Sequence, residues 1–224
     1  SCQPIGDFIF ALDLSDAGDL TVSLPLASGY DYNFTVDWGD GSTPLPVDVA
    51  GDANATHTYA NTGTYVVRVI GTLPSIRFGD SAEAHKLVAV ENLGATGWQS
   101  FERAFADCPN LTQVVGGETL GVTSMNAMFS NSPLVQVDTA GWDTSTVQFM
   151  DTMFLNASSA SPDTSGWNTS NVLSLSQTFH GATAANPDVS QWDTSNVLSM
   201  IYMFASGPLT TPDVSQWNTG NVTN

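Results

Sequence analysis

Trp142, Trp167, Trp192 and Trp217 stand 25 residues apart, and four other columns keep the same step. Phe129, Phe154, Phe179 and Phe204 form one, with Phe105 a residue closer. Val122, Val147, Val172, Val197 and Val222 form another, and Met125, Met150, Leu175 and Met200 a third. Asp138, Asp163, Asp188 and Asp213 complete the set. Self-similarity at one fixed period marks a stacked array, because a unit this short cannot bury its own aromatic residues. The Trp and Phe columns are therefore expected in the core, and functional candidates move to the polar columns.

Within one unit, Val197, Met200, Ile201 and Phe204 fall at i, i+3, i+4 and i+7, which predicts one face of a short helix. Thr194, Ser195 and Asn196 precede it and are good N-cap residues. Residues 188–192 alternate like a strand. One strand plus one short helix is the leucine-rich-repeat plan. The expectation for residues 81–224 is an α/β solenoid of this kind. Its degenerate first repeat is 85–111 and its regular repeats are 112–224, the last one incomplete.

Residues 1–80 have a different pattern. Segments 20–24, 32–36 and 64–70 alternate with period two and are broken by Gly, Pro, Asn and Asp, which predicts a small β-sandwich. Gly39 and Gly41 permit the left-handed backbone that a tight turn needs, and Asp40 can bond its own main chain. Val-Asp-Trp-Gly-Asp-Gly-Ser at 36–42, followed by His57-Thr-Tyr59 and Gly63-Thr-Tyr65, resembles a polycystic kidney disease (PKD) domain. That resemblance implies an immunoglobulin-like sandwich used as a spacer or weak binding module. Asp37, Asp40 and His57 are read as turn residues of that sandwich rather than as a metal or acid–base site.

The stretch Trp-Asp-Thr-Ser-Asn-Val-x-x-Met-x-x-Met-Phe at 192–204 resembles the repeat of the BspA-like leucine-rich-repeat surface proteins, and residues 98–111 resemble that family's degenerate first repeat. Thr146, in place of Asn, and His180, in place of a small residue, depart from the pattern. The resemblance implies a multidomain chain, sandwich then solenoid, on a bacterial surface and used in adhesion. It implies no enzyme chemistry.

Charge narrows the partners. The chain carries 22 Asp+Glu against 4 Lys+Arg, a formal net charge of −18. Nucleic acid is excluded, because phosphate contacts need clustered Lys and Arg. An anionic membrane is equally unattractive, and contact with a membrane is expected only through a lipid on Cys2. Cys2 is otherwise free or bridged to Cys108, which is itself read as a small core residue. No Gly-x-Ser-x-Gly and no phosphate loop occurs, and none of His57, His85 and His180 pairs in sequence with a nucleophile, so no catalytic residue is expected. The expected function is therefore adhesion or protein–protein recognition outside the cell, toward a protein or cell-surface ligand. Candidate binding residues are the polar ladders Asp138, Asp163, Asp188 and Asp213, with Thr144, Thr169, Thr194 and Thr219. Asp143 and Asp193 are candidates for calcium, a hard cation that takes clustered oxygens; no other cofactor is expected. The last unit lacks its helix, so either the chain is cut there or another molecule covers that end. The second case gives the alternative function, a fibre subunit assembled head-to-tail.

Overall fold

Phe8–Asp13 reads Phe-Ile-Phe-Ala-Leu-Asp, and its first five residues are all buried. A strand apolar on both faces belongs in the middle of a sheet, and this one, β1, is the centre of the molecule. The structure is a computed structural model that describes residues 6–207 and 211–224. The further strands are β2 (Thr21–Ser23), β3 (Asn33–Asp37), β4 (Leu45–Val47), β5 (Thr56–Thr58), β6 (Thr64–Thr72), β7 (Leu87–Asn92), β8 (Gln113–Val114) and β9 (Gln136–Val137). Seven of the nine form one mixed sheet in the order β4-β3-β6-β1-β7-β8-β9, and β2 and β5 pair separately. β1 runs antiparallel to β6 and β7, whereas β7, β8 and β9 are parallel.

This sheet overturns the expected multidomain architecture. The boundary expected at 80/81 lies between β6 and β7, and β1 pairs with both. One apolar cluster runs from Phe8 and Phe10 through Phe101 and Phe154 to Trp192 and Val197. Arg77 donates its backbone N–H to Pro25 O at 2.8 Å, and Phe78 meets Phe10 edge-on at 5.7 Å. The chain is a single β-rich body. The immunoglobulin-like sandwich does not stand as a separate domain, and the leucine-rich-repeat solenoid is not present.

The predicted helices are also absent. Among the described residues the helical segments are three short 3₁₀ turns, Ala53–Ala55, Phe78–Asp80 and Ala82–His85. Where Val197, Met200, Ile201 and Phe204 were to form one helical face, Tyr202 and Ser206 hold left-handed φ values of 52°, and Ile201 is 40% exposed. Arg103 and Asp107, Ala127 and Asn131, and Thr152 and Asn156 show the same pair of left-handed residues four apart. A single helical turn fixes about six dihedrals for one hydrogen bond. Here alternate amides find partners outside their own segment instead. Phe105, Phe129 and Phe154 donate to Met128 O, Met153 O and Thr178 O at 2.9, 2.8 and 2.9 Å. The strand expected at 188–192 is likewise a turn, because Asp188 Oδ1 accepts the Ser190 N–H at 3.1 Å and competes with ladder pairing.

Segments 24–25 residues apart meet through single parallel bridges, Ser75 to Ser100, Ser124, Phe149, Ser174 and Ser199 in turn. Inside, the rings of Phe105, Phe129, Phe154, Phe179 and Phe204 follow one another at 5.8, 5.4, 5.6 and 5.9 Å. Cys108 is a buried thiol, and burial pushes its ionisation well above the usual range. Cys2 lies outside the described residues. No helix among the described residues is long and apolar enough to cross a membrane.

Candidate functional site

The polar columns turn out to be turn caps and staples. Asp138 Oδ1 accepts the Ala140 N–H at 3.2 Å, and Asp163, Asp188 and Asp213 accept from Ser165, Ser190 and Ser215 at 3.0, 3.1 and 3.0 Å. Asp143 and Asp193 do the same for Ser145 and Ser195, each at 2.9 Å. Hydrogen bonds from those serines hold the Asp143, Asp163, Asp193 and Asp213 carboxyls below the usual carboxylate range. Each column residue thus serves its own turn. Among the described residues no three His, Cys, Asp or Glu side chains converge as a cation would require.

Three of the four column threonines are buried. Thr144, Thr169 and Thr194 are each 1% exposed, and their hydroxyls donate to Asn168 O, Asp193 O and Asn218 O at 3.0 Å. Thr119, one segment earlier, donates to Asp143 O at 2.9 Å. Thr219 is exposed. Asn171 and Asn196 reach back the other way, to Ser145 O and Ser170 O at 2.7 Å. Thr146, which stands in the Asn171 position, satisfies Val122 O instead at 2.8 Å. Thr169→Val keeps the shape and removes the donor from the Asp193 carbonyl, so about 0.5–1.5 kcal/mol of stability is expected to go. Urea titration measures this; a Thr169→Val protein as stable as its parent would show that the column is not a staple.

In the N-terminal strands, His57 Nε2 donates to Asp40 Oδ2 at 2.7 Å, and its ring stacks on Trp38 at 5.2 Å and 15°. Hydrogen bonds from Ser42 first, with His57 after them, lower the Asp40 carboxyl to about 2. Asp37 is not part of this pair; its Oδ1 caps Gly39 N at 3.0 Å. The arrangement fixes a turn against an aromatic cluster.

A concave site lies elsewhere, at the end of β7. It is a cleft of about 670 Å³ lined by Glu91, Asn92, Gly94, Ala95, Gly117, Glu118, Thr119, Leu120, Gly141 and Asp143. Its walls are tied down. Leu93 N–H donates to Val115 O at 3.0 Å, Glu118 N–H to Gly94 O at 2.9 Å, and Gly94 N–H to Asn92 Oδ1 at 3.1 Å. Gly94 has φ +68° and its backbone lies so close to Asp7 that a Cβ would sit 2.3 Å from Asp7 O; only glycine fits there. Of the residues singled out from the sequence, Asp143 alone lines this cleft. Glu91 belongs to no 25-residue column, and Glu118 stands 25 residues before Asp143, outside the columns read from the sequence. The signal that could have revealed them is the break in pattern: Leu120 takes the place held by Ser145, Ser170 and Ser195, just after the Gly116-Gly117 pair.

The volume falls in the range of about 300–1,000 Å³ typical of ligand clefts. Three carboxylates and no cation line it. No curated protein and no solved structure matches the chain. The family model that does match is not a leucine-rich-repeat one, which corrects the resemblance drawn from residues 98–111 and 192–204. The model, described as "Mycoplasma protein of unknown function, DUF285", matches residues 99–217, more than half of the chain, and the chain belongs to that family.

Proposed function

We propose that this chain is a non-catalytic recognition protein that acts outside the cell and holds a protein or cell-surface ligand in the cleft beside β7 and β8. Adhesion is the role this serves. The observation that carries the reading is the cleft itself, a preformed hollow of about 670 Å³ with an exposed apolar wall at Leu120. Around it, the oxygens of the polar columns are engaged in turns and inter-segment bonds, which suits a rigid presenting surface better than a reacting centre. The strongly acidic composition supports an exterior setting, where salt screens self-repulsion.

Gly141 offers a clean way to block the site, because a Cβ built there meets nothing within 4 Å and its φ is unstrained. Gly141→Trp is expected to fill the cleft and to leave the melting temperature unchanged. Labelled full-length protein is applied to intact cells and to immobilised extracellular proteins. Saturable binding that falls at least about tenfold with Gly141→Trp is the expected result. Binding indifferent to Gly141→Trp, or no saturable binding to any surface, would sink the proposal.

A further inference from the structure

We infer that the group this cleft takes is an alkylammonium, an aliphatic stem ending in a positive charge, of the kind a lysine side chain carries. The inference rests on the cleft reading above and names its ligand chemistry. Two separate features of the cleft set the two halves of that group. The apolar half is Leu120, which at 57% exposure presents a large hydrophobic side chain to the hollow. The charged half is set by Glu91, Glu118 and Asp143, with no base among the lining residues.

Among the described residues, every Lys and Arg already has an acidic neighbour. Arg77 pairs with Asp80 and Glu102, Arg103 with Asp80 and Asp107, Lys86 with Glu83, and Arg68 lies 3.8 Å from Asp7. These are all the Lys and Arg residues of the chain. Among the described residues, Glu91 and Glu118 have no ion pair, and their carboxylates accept no hydrogen bond. Asp143 is already occupied by Ser145 N–H at 2.9 Å, which holds it as an anion facing the same space. Like-charged walls around low-dielectric surface focus their field into a cleft and raise the local concentration of the opposite charge. A compact metal ion would satisfy the charge and waste the apolar wall, and among the described residues no three acidic or imidazole groups converge to coordinate one. A lysine-type group uses both, since it lays its methylenes along apolar surface and keeps its ammonium at the polar rim.

The chemistry has two sources, a lysine on a protein segment and a free polyamine, and calorimetry on the full chain separates them. The probes are a short peptide carrying two lysines, the same peptide with norleucine in place of lysine, the same peptide with glutamate, and spermidine. The lysine peptide is expected to bind, the norleucine peptide at least about tenfold more weakly, and the glutamate peptide not at all. Binding is expected to weaken as salt rises from about 0.05 to 0.5 M. E91Q/E118Q is expected to lose about tenfold in affinity, and L120A about threefold; both alter exposed side chains, and an unchanged melting curve confirms their fold. Binding of spermidine without the peptide would keep the ammonium and assign it to a free amine. Equal binding of the norleucine peptide, or full affinity in E91Q/E118Q, would overturn the inference. If Gly141→Trp abolishes cell binding while no amine binds, the cleft reading stands and the ammonium falls.

Discussion

Phe154→Ala is expected to cost about 3–5 kcal/mol of stability, among the largest effects of any single substitution in this chain. Phe154 is fully buried, with Phe129 at 5.4 Å on one side and Phe179 at 5.6 Å on the other. The substitution opens a cavity that the segments on either side cannot close, because each is pinned by its own bonds. Phe154 N–H donates to Thr178 O at 2.9 Å and Phe129 N–H to Met153 O at 2.8 Å. Two ring contacts, each worth about 0.5–1.5 kcal/mol, go with it. Tyr202→Ala is the control: the ring is 66% exposed, and a change within about 0.5 kcal/mol is expected. Urea unfolding gives the sizes, and hydrogen exchange gives the extent. A single body predicts that amides of β6, far along the chain, lose protection in step with those near residue 154. Protection in β6 that Phe154→Ala leaves untouched would mean that the sheet does not couple the two regions.

What the sequence made legible was the inside. The columns of Trp, Phe, Val and Met announce a core through their spacing, and Trp142, Trp167, Trp192, Phe129, Phe154 and Phe179 are all buried. Spacing alone does not reveal how the backbone pays its hydrogen bonds. The pattern Val197, Met200, Ile201, Phe204 satisfies a helical wheel, yet Tyr202 is left-handed and its segment bonds along the stack. Residues such as Arg103, Ala127 and Thr152 are poor local markers of a positive φ, so the turn that replaces the helix has no composition signature at its first left-handed position. The second position is Asp107, Asn131, Asn156, Gly181 and Ser206; the first four are residue types that favour this conformation, and that column was the signal available.

The sheet was hidden for a different reason. The partners of β1, β6 and β7, flank the point where the sequence pattern changes from alternation to the 25-residue step. A change of pattern looks like a domain boundary, but the strand that crosses it is earlier in the chain than either. Non-local pairing of this kind is invisible to a window moving along the sequence. The cleft was hidden by the same regularity that exposed the core. Attention to columns selects residues that hold the stack together, and Thr144, Thr169 and Thr194 prove to do that. The hollow forms where the columns fail, at Glu91, Gly94, Gly117 and Leu120.

Breaking the ion pair of Lys86 should be nearly as damaging as losing Phe154, although most ion pairs are not. Lys86 is 6% exposed, and its Nζ lies 2.9 Å from Glu83 Oε2 while donating to Thr21 O at 2.7 Å. Glu83 Oε1 accepts the Ser23 N–H at 3.4 Å, so the two side chains together tie the 3₁₀ turn Ala82–His85 to β2. Lys86→Met removes the cation and strands a carboxylate in a desolvated place, at an expected cost of about 3–5 kcal/mol. Glu83→Leu is expected to cost a comparable amount, because it leaves the buried ammonium with one backbone carbonyl and no counter-charge. The double variant Glu83→Leu with Lys86→Met should recover part of the loss, since it buries no charge at all. Arg77–Glu102 provides the contrast: its side chains are 29% and 41% exposed, and its removal is expected to cost no more than about 1 kcal/mol. A double-mutant cycle in urea measures both pairs. Losses from Lys86→Met and Glu83→Leu that simply add, with no recovery in the double variant, would show that Lys86 is held by Thr21 O and packing rather than by Glu83.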